Sequence, residues 1–105
     1  MDLLKWLQEW YLAQCNPEWE HWPWFGIQNL SNPGWIFSVE LKGTAAEAAT
    51  MPRYERGLGQ DDLGDDDWII CQMVGTEFRC NGDPTKLIEM LERFRELVTP
   101  YSTTK

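Results

Sequence analysis

The first residues alternate between apolar and polar with a period close to one helical turn. Leu3, Leu7, Trp10 and Gln14 form one row, and Leu4, Leu7 and Tyr11 an overlapping one. Trp6 stands beside Trp10, while Lys5, Gln8 and Glu9 lie largely opposite. This stripe predicts an amphipathic helix over residues 2–15. Asp2 is placed to cap its first turn, where a carboxylate also suits the positive end of the helix dipole. Asn16-Pro17 stops it, because proline disfavours a helical residue before it and donates no backbone hydrogen bond. Residues 18–25 are dense in aromatics and broken by Pro23, too irregular for a central strand, whereas residues 25–30 can begin an edge strand. At 31–34 the run Ser-Asn-Pro-Gly predicts a turn of type II, with proline presetting its own dihedral and Gly34 taking the positive one that follows.

Period two takes over from there. Trp35, Phe37, Val39 and Leu41 alternate with Ile36, Ser38, Glu40 and Lys42, which predicts a strand and, with residues 25–30, a hairpin. Residues 43–51 are alanine-rich and poorly patterned, suited to one helical turn or a loop. Residues 52–58 offer a short strand with Tyr54, Arg56 and Leu58 on one face. Residues 68–74 read as a buried strand, and Gly75-Thr76 reverses the chain into residues 77–80, where Phe78 and Cys80 share a face. The sequence Asn81-Gly82-Asp83-Pro84 then marks a helix start, with Asp83 as cap and Pro84 in the first position. Leu87, Leu91, Phe94 and Val98 form its apolar row, widened by Ile88, Met90 and Leu97, and Glu89 to Arg93 is a favourable i,i+4 pair. Thr99-Pro100 ends it, leaving a frayed tail over 99–105. The expected fold is α+β. A four- or five-stranded antiparallel meander carries an N-terminal and a C-terminal helix on one face, in a single domain over residues 1–105.

Charge narrows the function. The 105 residues hold 9 Lys and Arg against 17 Asp and Glu, a net charge of -8. Scattered basic residues on so acidic a chain argue against nucleic acid and against anionic membrane surfaces, and favour a basic macromolecular partner. No apolar run is long enough for a membrane helix, and residues 1–5 do not lead into a signal-peptide core, so a cytoplasmic location is expected. Cys15, Cys71 and Cys80 form an odd set with no zinc spacing, which fits reduced thiols, the latter two partly buried.

Candidate chemistry is sparse. Cys80, at a strand end before a helix, suggests a sulfurtransferase-type thiolate, but Asp83 occupies the place of the anion and the βαβ alternation of a doubly wound sheet is missing. His21 has no nucleophile assigned to it by spacing. The run Asp61, Asp62, Asp65, Asp66 and Asp67 does not match an EF-hand loop. No catalytic residue, cofactor or metal is therefore expected, and the aspartate run reads as a solvated loop or a docking surface. The seven tryptophans are in excess. Trp6, Trp10, Trp35 and Trp68 fall on apolar faces, while Trp19, Trp22 and Trp24 lie in the proline-broken segment, as a lid on the core or as anchors for a partner. A carbohydrate-binding or other interaction module is the competing class.

Leu3-Leu4-Lys5-Trp6-Leu7-Gln8-Glu9-Trp10-Tyr11 followed by Gln14-Cys15 resembles the start of the immunity protein 53 family of bacterial polymorphic toxin systems. Trp19-Glu20-His21, Gly26-Ile27, Asn32-Pro33-Gly34-Trp35, Asp67-Trp68-Ile69 with Cys71, and residues 82–94 continue the likeness in order. The resemblance implies a cytoplasmic inhibitor of a cognate toxin domain and brings no catalytic residues with it. Combined with the charge, it points to a basic toxin, such as a nuclease, docking on Asp61, Asp62, Asp65, Asp66 and Asp67, with Glu18, Glu20, Trp22 and Trp24 as secondary contacts.

Overall fold

The computed structural model describes residues 2–14, 25–30, 33–57 and 67–101. Helix α1 (Leu3–Gln14) is followed by strands β1 (Phe25–Leu30), β2 (Gly34–Glu40), β3 (Tyr54–Arg56), β4 (Ile69–Val74) and β5 (Glu77–Gly82), then by helix α2 (Leu87–Val98) and a 3-10 turn (Thr99–Tyr101). Asp2 caps α1 as expected, its Oδ1 accepting from the backbone N–H of Leu4 at 3.1 Å and of Lys5 at 3.3 Å.

All five strands pair antiparallel in one sheet, the α+β fold expected. Their order, β1-β2-β5-β4-β3, departs from a chain-order meander at one place. The β1–β2 hairpin and the β3–β4–β5 meander are each sequential. The connection between them carries the chain from β2 to the far edge, so that β5 returns beside β2. That connection, the alanine-rich stretch, is a series of turns closed by i,i+3 bonds, Thr44 N–H to Leu41, Glu47 N–H to Thr44 and Ala49 N–H to Ala46. It buries Ala46 and Ala49.

The ladder places Phe37 opposite Cys80, Cys80 opposite Cys71, and Val39 opposite Phe78. These residues have no solvent exposure and form the sheet's contribution to the core. Both helices cover this one face. Phe94 of α2 is the meeting point, with ring centroids 4.9 Å from Trp10, 5.9 Å from Trp6, 5.4 Å from Phe37 and 5.3 Å from Phe78. The aromatic excess of the sequence is in part this cluster. Ile88, expected to widen the stripe of α2, instead points outward at 67% exposure, since Met90, Leu91, Phe94 and Val98 already fill the width that faces the sheet.

Cys71 and Cys80 are joined as a disulfide, which corrects the expectation of free thiols. A spacing of nine residues gives no hint of this, because the contact depends on the register that the Gly75-Thr76 reversal imposes. Gly75 takes φ 64° and no described non-glycine residue has a positive φ, the pattern of a two-residue II′ turn with glycine first.

Candidate functional site

At one end of the sheet, charged side chains from four segments meet. Asp83 follows β5 and is fully buried. Its Oδ1 accepts from the Thr85 N–H at 2.7 Å and the Thr85 hydroxyl at 2.6 Å. Its Oδ2 accepts from the Trp68 N–H at 2.8 Å and from Lys86 Nζ at 2.9 Å. Residue 83 was expected to cap the helix with Pro84 as its first residue, and the structure corrects this. Asp83 caps a separate turn over residues 83–86, closed by Lys86 N–H to Asp83 C=O at 3.0 Å, and α2 begins only at Leu87. A carboxylate can serve one donor set, and here the Thr85 pair and the buried ammonium of Lys86 take it. Trp35 holds the same turn to β2, its indole N–H donating to the Pro84 carbonyl at 3.1 Å.

Lys86 also reaches Asp67, 2.9 Å away and 76% exposed. Asp67 lies 3.7 Å from Arg56 of β3. Arg56 in turn makes a two-pronged pair with Glu89 of α2, at 3.0 and 3.2 Å, and donates to the Tyr54 hydroxyl at 2.7 Å. Arg93 completes the chain, 3.4 Å from Glu89 with its guanidinium 3.6 Å from the centre of the Tyr54 ring. The expected i,i+4 pair is thus present as one link of a longer network.

The local electrostatics follow from this geometry. Burial opposes ionisation of Asp83, but the hydrogen bonds from Thr85, Lys86 and Trp68 outweigh it and bring its pKa down to about 2. Lys86 is likewise penalised by burial, yet Asp83 and Asp67 hold its pKa above the usual value. The ammonium of Lys86 lowers Asp67, and the Arg56 guanidinium lowers Glu89. Three carboxylates, Asp67, Asp83 and Glu89, meet three cations, Arg56, Lys86 and Arg93. Among the described residues the cluster is neutral. It fixes where the aspartate run rejoins the sheet rather than adding to the net negative charge.

Of the residues expected to touch a partner, only Asp67 is among those described, and it is exposed. Glu18, Glu20, Trp22, Trp24, Asp61, Asp62, Asp65 and Asp66 lie outside the described residues, as does His21. Cys80 has no exposure and is bonded to Cys71, so the structure offers no thiolate for sulfur transfer there. An open groove of about 430 Å³ runs along α2 between Thr85, Ile88, Glu89, Glu92, Arg93 and Glu96. It joins carboxylates and Arg93 to one exposed aliphatic side chain, and its one hydroxyl, that of Thr85, is spent on the buried Asp83 carboxylate whose pKa is held low. Among the described residues no group of three or more metal-ligating side chains converges, and no helix is long and apolar enough to cross a membrane.

The network itself was only partly visible in the sequence. Glu89–Arg93 follows from helical spacing, but Arg56–Glu89 and Lys86–Asp67 join residues 33 and 19 apart and exist only once β3 and β4 lie under α2. Comparisons with curated proteins and with solved structures each found no match. A family model, immunity protein 53, matches residues 4–99. With nearly the whole length of the chain inside that match, from α1 through the end of α2, the chain belongs to the immunity protein 53 family.

Proposed function

We propose that this chain binds and neutralises a cognate toxin domain in the cytoplasm of the cell that produces both, acting as an inhibitor and not as an enzyme. The family match carries the reading. The net charge of -8 supports a toxin with a basic face, as a nuclease would have, steered in by long-range attraction. In this proposal Asp61, Asp62, Asp65 and Asp66 supply the attraction through their number and shared sign. Glu18, Glu20, Trp22 and Trp24 form a secondary contact. Inhibition is by occlusion: the bound chain covers the toxin's active site or the path of its substrate, which needs no catalytic group on the inhibitor.

The test is expression of the C-terminal toxin domain encoded beside this gene, in a bacterium with and without this chain. Restored growth together with a one-to-one complex on gel filtration is the expected result. Continued killing with both proteins soluble and no complex would overturn the reading.

A further inference from the structure

The two edges of the sheet are built differently. Strand β3 closes one edge with three residues, two of them charged, preceded by Pro52 and Arg53 and followed by Gly57. Arg53 and Glu55 pair across it at 3.0 Å. These are the ordinary devices that stop a sheet from accepting another strand. Strand β1 closes the other edge with six residues, Phe-Gly-Ile-Gln-Asn-Leu, and has no charge and no proline. It pairs residue for residue with β2, from Phe25 opposite Val39 to Leu30 opposite Gly34, without a bulge. Ile27, Gln28 and Asn29 are exposed in succession, although their side chains alternate between faces. In an antiparallel ladder alternate residues turn both N–H and C=O away from their partner strand. Those of β1 have no partner strand among the described residues.

Helix α1 prepares the rim of this edge. Trp6 faces α2 through Phe94, and at helical spacing Leu4 and Tyr11 occupy the opposite flank. Tyr11 lies over β1, with ring centroids 4.7 Å from Phe25. Leu4, Tyr11 and Ile27 remain 58%, 38% and 38% exposed. A strand added beside β1 would extend the sheet under this flank and pack every second side chain against Tyr11 and Ile27.

We propose that β1 is where the toxin domain docks, by adding one of its own extended segments as a sixth strand. This rests on the immunity reading above. The segment carries apolar side chains at alternate positions, facing Tyr11 and Ile27, and basic or neutral ones between them. Charge selects this occupant over a second copy, since two chains of -8 repel each other whereas a basic toxin is attracted. The position also agrees with Asp67, the one candidate contact among the described residues. The register row through Asn29, Trp35, Gly82 and Ile69 places the Asn29 end of β1 at the same end of the sheet as Asp67. Three strand spacings separate them, about 14 Å, within the ~30 Å width of a standard interface.

The experiment compares amide hydrogen exchange of the free chain and of the chain with the neighbouring toxin domain. Affinity is then measured for the wild type, Ile27→Lys and Ile27→Glu, with thermal melts as a folding control. Expected are slowed exchange across residues 25–30 in the complex and at least tenfold weaker binding by both variants at an unchanged melting temperature. Loss with both signs of charge excludes a purely electrostatic cause. A wild-type complex in which residues 25–30 exchange as before, or which both variants form equally well, overturns the edge proposal and leaves the immunity reading standing. Failure of the wild type to bind at all overturns both. Dimers of the chain alone, with residues 25–30 protected, would assign the edge to a second copy instead and overturn it.

Discussion

Asp83 concentrates the requirements of this fold in one side chain. Its carboxylate satisfies two backbone N–H groups, one hydroxyl and a buried ammonium. Asp83→Ala removes all four acceptor contacts and leaves Lys86 buried with, among the described residues, only the exposed Asp67 as counter-ion. The expected cost is roughly 3 kcal/mol, read from urea unfolding at neutral pH. Because the folded pKa is depressed to about 2 from an ordinary 3.8, the stabilisation is complete above the ordinary value and is lost as pH falls through the folded one. Unfolding followed across that window should show a larger acid-dependent loss in the wild type than in the variant, which keeps the depressed carboxylates of Asp67 and Glu89. Glycine gives a second contrast. The sequence suggests Gly34 for its positive φ, but the structure shows none there. What requires glycine is proximity: a Cβ at Gly34 would sit 2.5 Å from the Gly82 carbonyl oxygen, backbone that cannot turn aside. Gly34→Ala is expected to destabilise by about 1–3 kcal/mol. At Gly26 a Cβ would meet nothing within 4 Å, and Gly26→Ala should leave the melting temperature unchanged or slightly raised. Equal losses at both positions would overturn the role given to the close approach of Gly34 to Gly82, since chain entropy alone favours alanine at either position.

Among elements, α2 joins most of the molecule, because its inner row meets α1 and the sheet together. Phe94 touches rings from α1, β2 and β5. Phe94→Ala is expected to cost about 3–5 kcal/mol, the range for emptying a packed aromatic site, while Ile88→Ala on the same helix should stay within ~0.5 kcal/mol. Thermal unfolding of the two variants side by side distinguishes them. This contrast marks how far patterning reaches. Strict alternation located β2, and the helical rows located α1 and α2, because periodicity and burial have the same cause. Ile88 was misread because its spacing admits it to the apolar stripe, and only the width of the facing sheet excludes it. The same holds between elements. Local turns are written in residues such as Gly75, but the return of β5 beside β2, the Cys71–Cys80 bond and the Arg56–Glu89 pair arise from register between distant segments. No local signal carries them. Of the candidate partner residues, the sequence supplied the acidic run, and the structure gives Asp67 an internal partner in Lys86.

On the scale of the whole molecule, the Asp67–Lys86 pair gives that carboxylate a structural role that can be tested apart from docking. Asp67 is balanced within a neutral cluster that holds β3, β4 and the start of α2 in place. Asp61, Asp62, Asp65 and Asp66 are proposed to steer the toxin. Changing those four to asparagine takes the net charge from -8 to -4 and keeps Asp67, Asp83 and Glu89 in place. Association with a basic toxin should slow by about tenfold or more at low salt, and the dependence of the rate on ionic strength should flatten, because steering acts through the long-range field. Dissociation should change far less if the close contacts are made at the sheet edge. Changing Asp67→Asn alone removes a single charge and should barely alter association, but it loosens Lys86 and should lower the melting temperature. Stopped-flow association at several salt concentrations, with melts of the same proteins, measures both effects. A four-site variant that associates at the wild-type rate would remove the aspartate run from the docking mechanism. A slow Asp67→Asn variant would mean that this carboxylate, although paired with Lys86, is itself read by the toxin.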